Sequence, residues 1–162
     1  MSEALDTDPV AMPRPFTDTE PAPPMPFGAD PERKTARVEL PDGWDSGAGT
    51  ITNIWHGGVT GSVGIIRSHA GAYRASHHHQ RDGHLLHVLE GEVRYYERAI
   101  GATKVELEEV FGPDDTFVTP PGYEHLMIFT APTVMVSLSS LPRTHDAHEA
   151  DVVRVPRESW DV

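Results

Sequence analysis

The sequence predicts an all-β domain of the sandwich or barrel type, and three observations carry that expectation. From Val38 onward, short runs rich in Val, Ile, Thr and aromatic residues recur, broken by Gly, Pro and Asp, at a spacing of roughly 8–12 residues. No window of helical length carries a sustained 3.6-residue pattern with caps. At 162 residues the chain is long enough for one domain with a proper core and too short for two comfortable ones.

Taken in order, residues 1–36 hold eight of the fifteen prolines, in runs such as "MPRPFTDTEPAPPMPFGADP". Proline removes backbone donors and the segment has no periodicity, which predicts a disordered or extended arm. Phe16, Met25 and Phe27 are its candidate docking side chains; the other reading is a mobile tail. The strand candidates follow: "TITNIWH", "SVGIIRS", "AYRASHH", "HLLHVLE", "EVRYYER", "KVELEEV", "TFVTP", "HLMIFT" and "TVMVSLS". "RTHDAHEADVV", from Arg143, suits a short helical turn, and "VVRVPRESW" suits an edge strand closed off by Pro156. The expected organisation is therefore an arm over 1–36, a β-barrel over 37–142, and an extension over 143–162 that packs on the barrel or adds a strand.

A formal charge of −12 argues against nucleic acid or an anionic membrane as partner. No apolar run approaches a membrane span, and the N-terminus lacks the features of a signal peptide. The absence of cysteine removes disulfides, thiolate metal sites and cysteine nucleophiles, which suits a cytoplasmic protein.

Histidine is the compositional oddity. Five of the ten lie between His77 and His87 in "HHHQRDGHLLH". Side chains alternate along a strand, so His77 and His79 share a face and His78 looks the other way. "QRDG" supplies a turn, with Asp82-Gly83 as the turn dipeptide. On the returning strand, His84, Leu86 and Val88 share one face, while Leu85, His87 and Leu89 share the other. The return aims His84 at the space His77 and His79 face.

The spacing resembles the cupin family. Its first motif, G-x5-H-x-H-x(3,4)-E-x6-G, is met by Gly71, His77, His79 and Gly91, with His84 in place of the glutamate. Its second motif, G-x5-P-x-G-x2-H-x3-N, is met by Pro120, Gly122 and His125, with Asp114 and Phe129 at its first and last positions. The resemblance implies a double-stranded β-helix (jelly roll, or cupin barrel) and a divalent metal held by His77, His79, His84 and His125. Zinc is the first expectation, with iron, manganese, nickel or cobalt as alternatives. A glutamate in the set leaves a site charge near +1. Four imidazoles leave it near +2, which makes the metal a stronger Lewis acid. A metal-free cupin that only binds a ligand is the blander reading.

Parity also places Met127 and Phe129 beside His125, with Leu86 opposite, as an apolar wall of a substrate pocket. Tyr73 shares parity with His77 and His79 and is a candidate proton donor or shuttle, or else an aromatic packed at the rim. Glu124 and Tyr123 flank His125. Glu124 is the candidate acid/base, solvation being its plainer role, and Tyr123 a candidate substrate contact. Arg67 and Arg74 are candidate holders of an anionic substrate group, or simply salt-bridged. Trp55 and His56 form a lip of the pocket or only pack.

The apolar outer face of Leu85, His87 and Leu89 needs a cover, either the arm or a partner subunit, and cupins commonly dimerise in this manner, so a homodimer is expected. The first function expected is a metal-dependent enzyme acting on a small carbonyl compound by Lewis-acid chemistry, of isomerase, epimerase, cyclase or lyase type. The alternatives are an Fe or Mn dioxygenase and a non-catalytic small-molecule or sugar-binding protein.

Overall fold

The structure is a computed structural model and describes residues 26–40, 43–57 and 61–162. Residues 1–25, with Phe16 and Met25, lie outside the described residues. A small hairpin of β1 (Trp44–Ser46) and β2 (Gly49–Ile51) precedes the barrel strands. These are β3 (Ser62–Ser68), β4 (Tyr73–His79), β5 (His84–Glu90), β6 (Val93–Ala99), β7 (Leu107–Phe111), β8 (Thr116–Thr119), β9 (Tyr123–Phe129) and β10 (Thr133–Ser139). A helix α1 (His145–Asp151) and a strand β11 (Val152–Arg154) complete the chain's main elements.

The barrel strands form two antiparallel sheets, ordered β3-β10-β5-β8 and β11-β4-β9-β6-β7. Successive strands alternate between the sheets at the first return, β3 to β4 to β5, which makes a jelly roll of the cupin type. No helix among the described residues is long and apolar enough to cross a membrane.

The core lies between the sheets. Leu86 and Val88 of β5 meet Val93 and Tyr95 of β6, Met127 and Phe129 of β9, Met135 of β10 and the ring pair Phe111–Phe117, whose centroids are 4.3 Å apart. All alternate with residues that face outward, as a sheet buried on one side requires.

Both outer faces are partly covered by the chain itself. On β5 and β8, Leu85 and Val118 are buried under Phe27 and Ala29, with Trp55 edge-on to Phe27 at 5.1 Å. Leu89, farther along β5, stays 46% exposed. Trp55 therefore packs here, with His56 nearby, on the outside of the barrel. "TITNIWH" gives a strand only to Ile51, and Ile54 and Trp55 pack on this outer cluster without ladder pairing.

Residues 26–36, counted with the arm in the sequence reading, are docked. Arg33 enters the barrel wall and makes two hydrogen bonds to Glu97, of 2.8 and 2.5 Å, and the Tyr95 hydroxyl donates to the same carboxylate. Val38 and Ala36 then hydrogen-bond along β8, covering that sheet edge.

The C-terminal extension covers the other sheet. Thr144 caps α1 by accepting the Ala147 N–H, and Asp146 lies in its first turn. The β-branched Val152-Val153 pair then extends as β11 against β4. Trp160 follows, buried with Tyr96 and Leu126.

Candidate functional site

Strands β4 and β9 are neighbours, and their register sets His77 directly opposite His125. Ligand-type atoms of His77, His79 and His125 all lie within 4.8 Å of one another. The ring centroids of His77 stand 4.8 Å from His79 and 4.9 Å from His125. His84, from the start of β5, meets His79 at 4.5 Å between centroids, and it groups with His79 and Asp82 rather than with the first three. His78 and His87 do not join either group. His87 hydrogen-bonds Thr116 on the outer side of its strand.

Three of the rings have one nitrogen held by an oxygen. His79 Nδ1 is 3.0 Å from Asp151 Oδ2, His84 Nε2 is 2.9 Å from Asp82 Oδ2, and His125 Nδ1 is 3.3 Å from the Tyr123 carbonyl. This is how a metal-binding imidazole is oriented, with the second nitrogen freed for the ion. That second nitrogen of His79, Nε2, is buried with no partner. The donor set thus suits a borderline divalent ion such as zinc or iron.

The carboxylates come from far away in sequence or from a turn. Asp151, at the end of α1, also accepts the Arg81 and Asp82 N–H groups. Asp82 accepts Ser140 Oγ–H and the Leu141 N–H. Burial works against both charges, but their hydrogen bonds, from His84 and His79 above all, hold each carboxyl below its ordinary value. The imidazoles are lowered as well, which for them favours the neutral form. Burial, reinforced by His79, His84 and His148, lowers His77 to about 2. Burial likewise lowers His79, against the Asp151 bond, and takes His125 well below 6.5. Neutral rings at pH 7 keep their lone pairs available for a cation.

His77, His84 and His125 form the floor of a cavity of about 420 Å³, with Ile66, Leu86 and Met127 as apolar walls and Tyr73, Arg74, Arg143 and His148 toward its mouth, while His79, fully buried, lies behind the lining. Of the residues the sequence nominated, His77, His84, His125, Arg74, Tyr73, Leu86 and Met127 line it. Tyr73 does so from the rim, 55% exposed, because β4 carries a bulge. Ala75 and Ser76 have positive φ (67° and 59°), and the register slips by one residue before His77. An extra residue reverses the alternation upstream of it. Arg74 therefore opposes the inward Met127, while Tyr73 opposes Ile128.

Four nominated residues lie elsewhere. Glu124 is buried on the outer face, 2.6 Å from Arg98 Nε and accepting the Gly101 N–H, so it is an ion-pair anchor and not an acid/base at the cavity. It sits within β9 rather than in a loop, and its parity is opposite to that of His125. Tyr123 has inward parity but lies under the Arg33 guanidinium at 5.6 Å, away from the cavity lining. Phe129 is wholly buried in the core. Arg67 is exposed, one residue out of phase with the inward Ile66.

Sequence reasoning missed Asp82, Asp151, His148 and Arg143. Asp82 reads in sequence as turn chemistry, and it lies in the connection between β4 and β5. His148 and Asp151 belong to a segment of expected helical character, where the i, i+3 spacing puts both on one face. That spacing was the available signal.

No protein-family model matches the chain, and no curated protein matches it by sequence. Solved structures do resemble it in fold. The 3,4-ketoisomerase QdtA from Thermoanaerobacterium thermosaccharolyticum superposes with a TM-score of 0.54 at 19% identity, over 78% of this chain and 91% of that one. The dTDP-6-deoxy-D-glucose-3,5-epimerase RmlC from Legionella pneumophila gives 0.58 at 16%, over 73% and 71%. A dTDP-4-dehydrorhamnose 3,5-epimerase from Sulfolobus tokodaii gives 0.60 at 11%, over 76% and 78%.

Proposed function

We propose that this chain is an enzyme of the isomerase or epimerase type acting on a small carbonyl compound, with a divalent metal held by His77, His79 and His125 and with His84 beside it. Cyclase and lyase reactions use the same chemistry and belong to the same class. The observation that carries the reading is the convergence of three neutral imidazoles on one point, two of them lining a cavity and the third, His79, buried behind with a partnerless Nε2. The fold neighbours bear names of the same reaction class, a ketoisomerase and two epimerases, one of them described in complex with a keto sugar.

A bound divalent ion would supply Lewis-acid polarisation of the substrate carbonyl. The chain's own residues do the rest. Asp151 fixes the tautomer of His79 by accepting its Nδ1–H, and the Tyr123 carbonyl does the same for His125. Leu86 and Met127 keep water from the reacting carbon. His84 has Nε2 committed to Asp82 and keeps Nδ1 to take up or release a proton, the role that the outward Glu124 does not fill.

One observation favours a second reading. The compact group has three imidazoles rather than four, which leaves more coordination positions open and suits a dioxygenase that takes both oxygen and substrate. Metal analysis of protein purified without an affinity tag, with oxygen uptake measured alongside, separates the two. Zinc at one per chain and no oxygen consumption is expected. Iron with oxygen uptake would replace the first reading by the second, and an absence of stoichiometric metal would remove both.

A further inference from the structure

We propose that Arg74 and Arg143 form an oxyanion subsite at the mouth of the histidine cavity, so that the substrate is a small carbonyl compound bearing a phosphate ester or a carboxylate. The inference rests on the cavity being an active site and adds the class of group that the substrate carries.

The first argument is charge. The chain has a formal excess of twelve negative charges. Arg33, Arg37, Arg94, Arg98 and Arg154 each pair with a carboxylate. Among the described residues, Arg74 and Arg143 have no such pair, although both line one cavity. Two guanidiniums that share a mouth repel each other, and each lowers its cost when an anion sits between them.

The second argument is preorganisation. Arg74 Nε donates to Ser68 Oγ at 2.8 Å and its Nη2 donates to the Arg67 carbonyl at 2.9 Å. Those bonds fix the plane of the guanidinium, and the rest of its fork remains open to a ligand. An arginine held in this way loses little further freedom on binding a planar or tetrahedral oxyanion. Arg143 lines the same cavity, next to the Thr144 cap of α1, close enough for the Arg74 charge to act on it. Asp82 acts on its charge from within the site without pairing to it.

The third is the division of the cavity. Its floor is imidazole, its walls are Ile66, Leu86 and Met127, and its cationic groups are at the mouth. A ligand with a carbonyl at one end and an anion at the other matches that order, and a volume of about 420 Å³ suits a small molecule.

The test is calorimetric titration of the full chain with glucose 6-phosphate, pyruvate and uncharged glucose, with metal content assayed on every sample. Wild-type protein is expected to bind one of the anionic probes, and glucose at least about tenfold more weakly. Arg74→Gln and Arg143→Gln are each expected to weaken the anion by at least about tenfold while keeping the metal. Arg67→Gln, altered outside the cavity, is expected to bind as wild type does. Preference for the phosphate ester or for the carboxylate assigns the source of the oxyanion. His77→Ala, run in parallel, separates this inference from the metal reading. Anion binding retained in that variant places the anion on the arginines. Binding that disappears with the metal, while Arg74→Gln and Arg143→Gln bind normally, overturns the subsite, as does failure of wild-type protein to bind either anion at millimolar concentration.

Discussion

At the scale of single residues, the charge of the site is set as much by carboxylates behind the imidazoles as by the imidazoles themselves. Replacement of the family glutamate by His84 implied a site near +2. Asp82 touches His84 and Asp151 touches His79, so two negative charges stand just outside the ring of nitrogens and offset that gain. Removing Asp151 as an acceptor, with Asp151→Asn, is expected to weaken metal binding about 10–100-fold while the fold persists, measured by competition with a chelator. His79→Ala should empty the site and His78→Ala should spare it. Equal metal loss from both would place the strand register one residue off. Glu124→Gln addresses the other carboxylate beside His125. It leaves the Arg98 guanidinium buried against a neutral partner and is expected to cost about 3–5 kcal/mol in chemical denaturation, with metal content unchanged. The histidines were legible in sequence because period-two alternation needs only local spacing. Glu124 was misread because its partner, Arg98, is 26 residues away on another strand.

At the scale of elements, the bulge at Ala75–Ser76 and the segment after Pro142 decide what the cavity presents. The bulge turns Arg74 inward in place of Tyr73. Nothing in "AYRAS" announces positive φ at two non-glycine residues; it is held by tertiary bonds, Ser76 Oγ donating to the Val155 carbonyl and accepting from Trp160 Nε1. Helix α1 and β11 supply Asp151 and His148 and cover the edge of β4. A chain cut after Pro142 is expected to lose metal and, with seven residues of β4 left as an open edge, to associate through it, read by light scattering. The N-terminal segment shows the limit of composition as a guide. Proline content rightly excludes a core strand in residues 26–36, but it says nothing about docking, and Phe27 is only 6% exposed. Phe27→Ala is expected to cost about 3 kcal/mol of stability, and an unchanged unfolding midpoint would mean that the docking is energetically empty.

For the whole molecule, the buried histidines make the fold sensitive to acid. His77, His79 and His125 titrate below their ordinary value of 6.5 in the folded chain, because burial disfavours the charged ring. The unfolded chain therefore takes up protons first as pH falls through about 6.5, and stability is present above that value and lost progressively below it. Asp82 and Asp151 add a second loss below about 3.8, since their folded forms hold the charge more strongly. Metal-free protein should show a melting temperature that falls steadily from pH 7 to pH 4, and bound metal should steepen the fall. A flat profile over that range would contradict neutral, buried imidazoles. The class of fold was legible because strand spacing and two motifs are local signals. The strand of the C-terminal extension was legible as well, but the partners of the docked ends were not, since their contacts join Arg33 to Glu97 and His79 to Asp151 across 64 and 72 residues. The same C-terminal docking gives the protein an optical signal of its own. Trp160 is 3% exposed, its indole N–H is bound, and the Arg98 guanidinium lies 4.1 Å from its ring centroid. In a Trp44→Phe, Trp55→Phe background, its fluorescence would be blue-shifted while the segment is seated and red-shifted on release. Detachment of the element that carries Asp151 would then be visible as a colour change that precedes any loss of β-sheet circular dichroism.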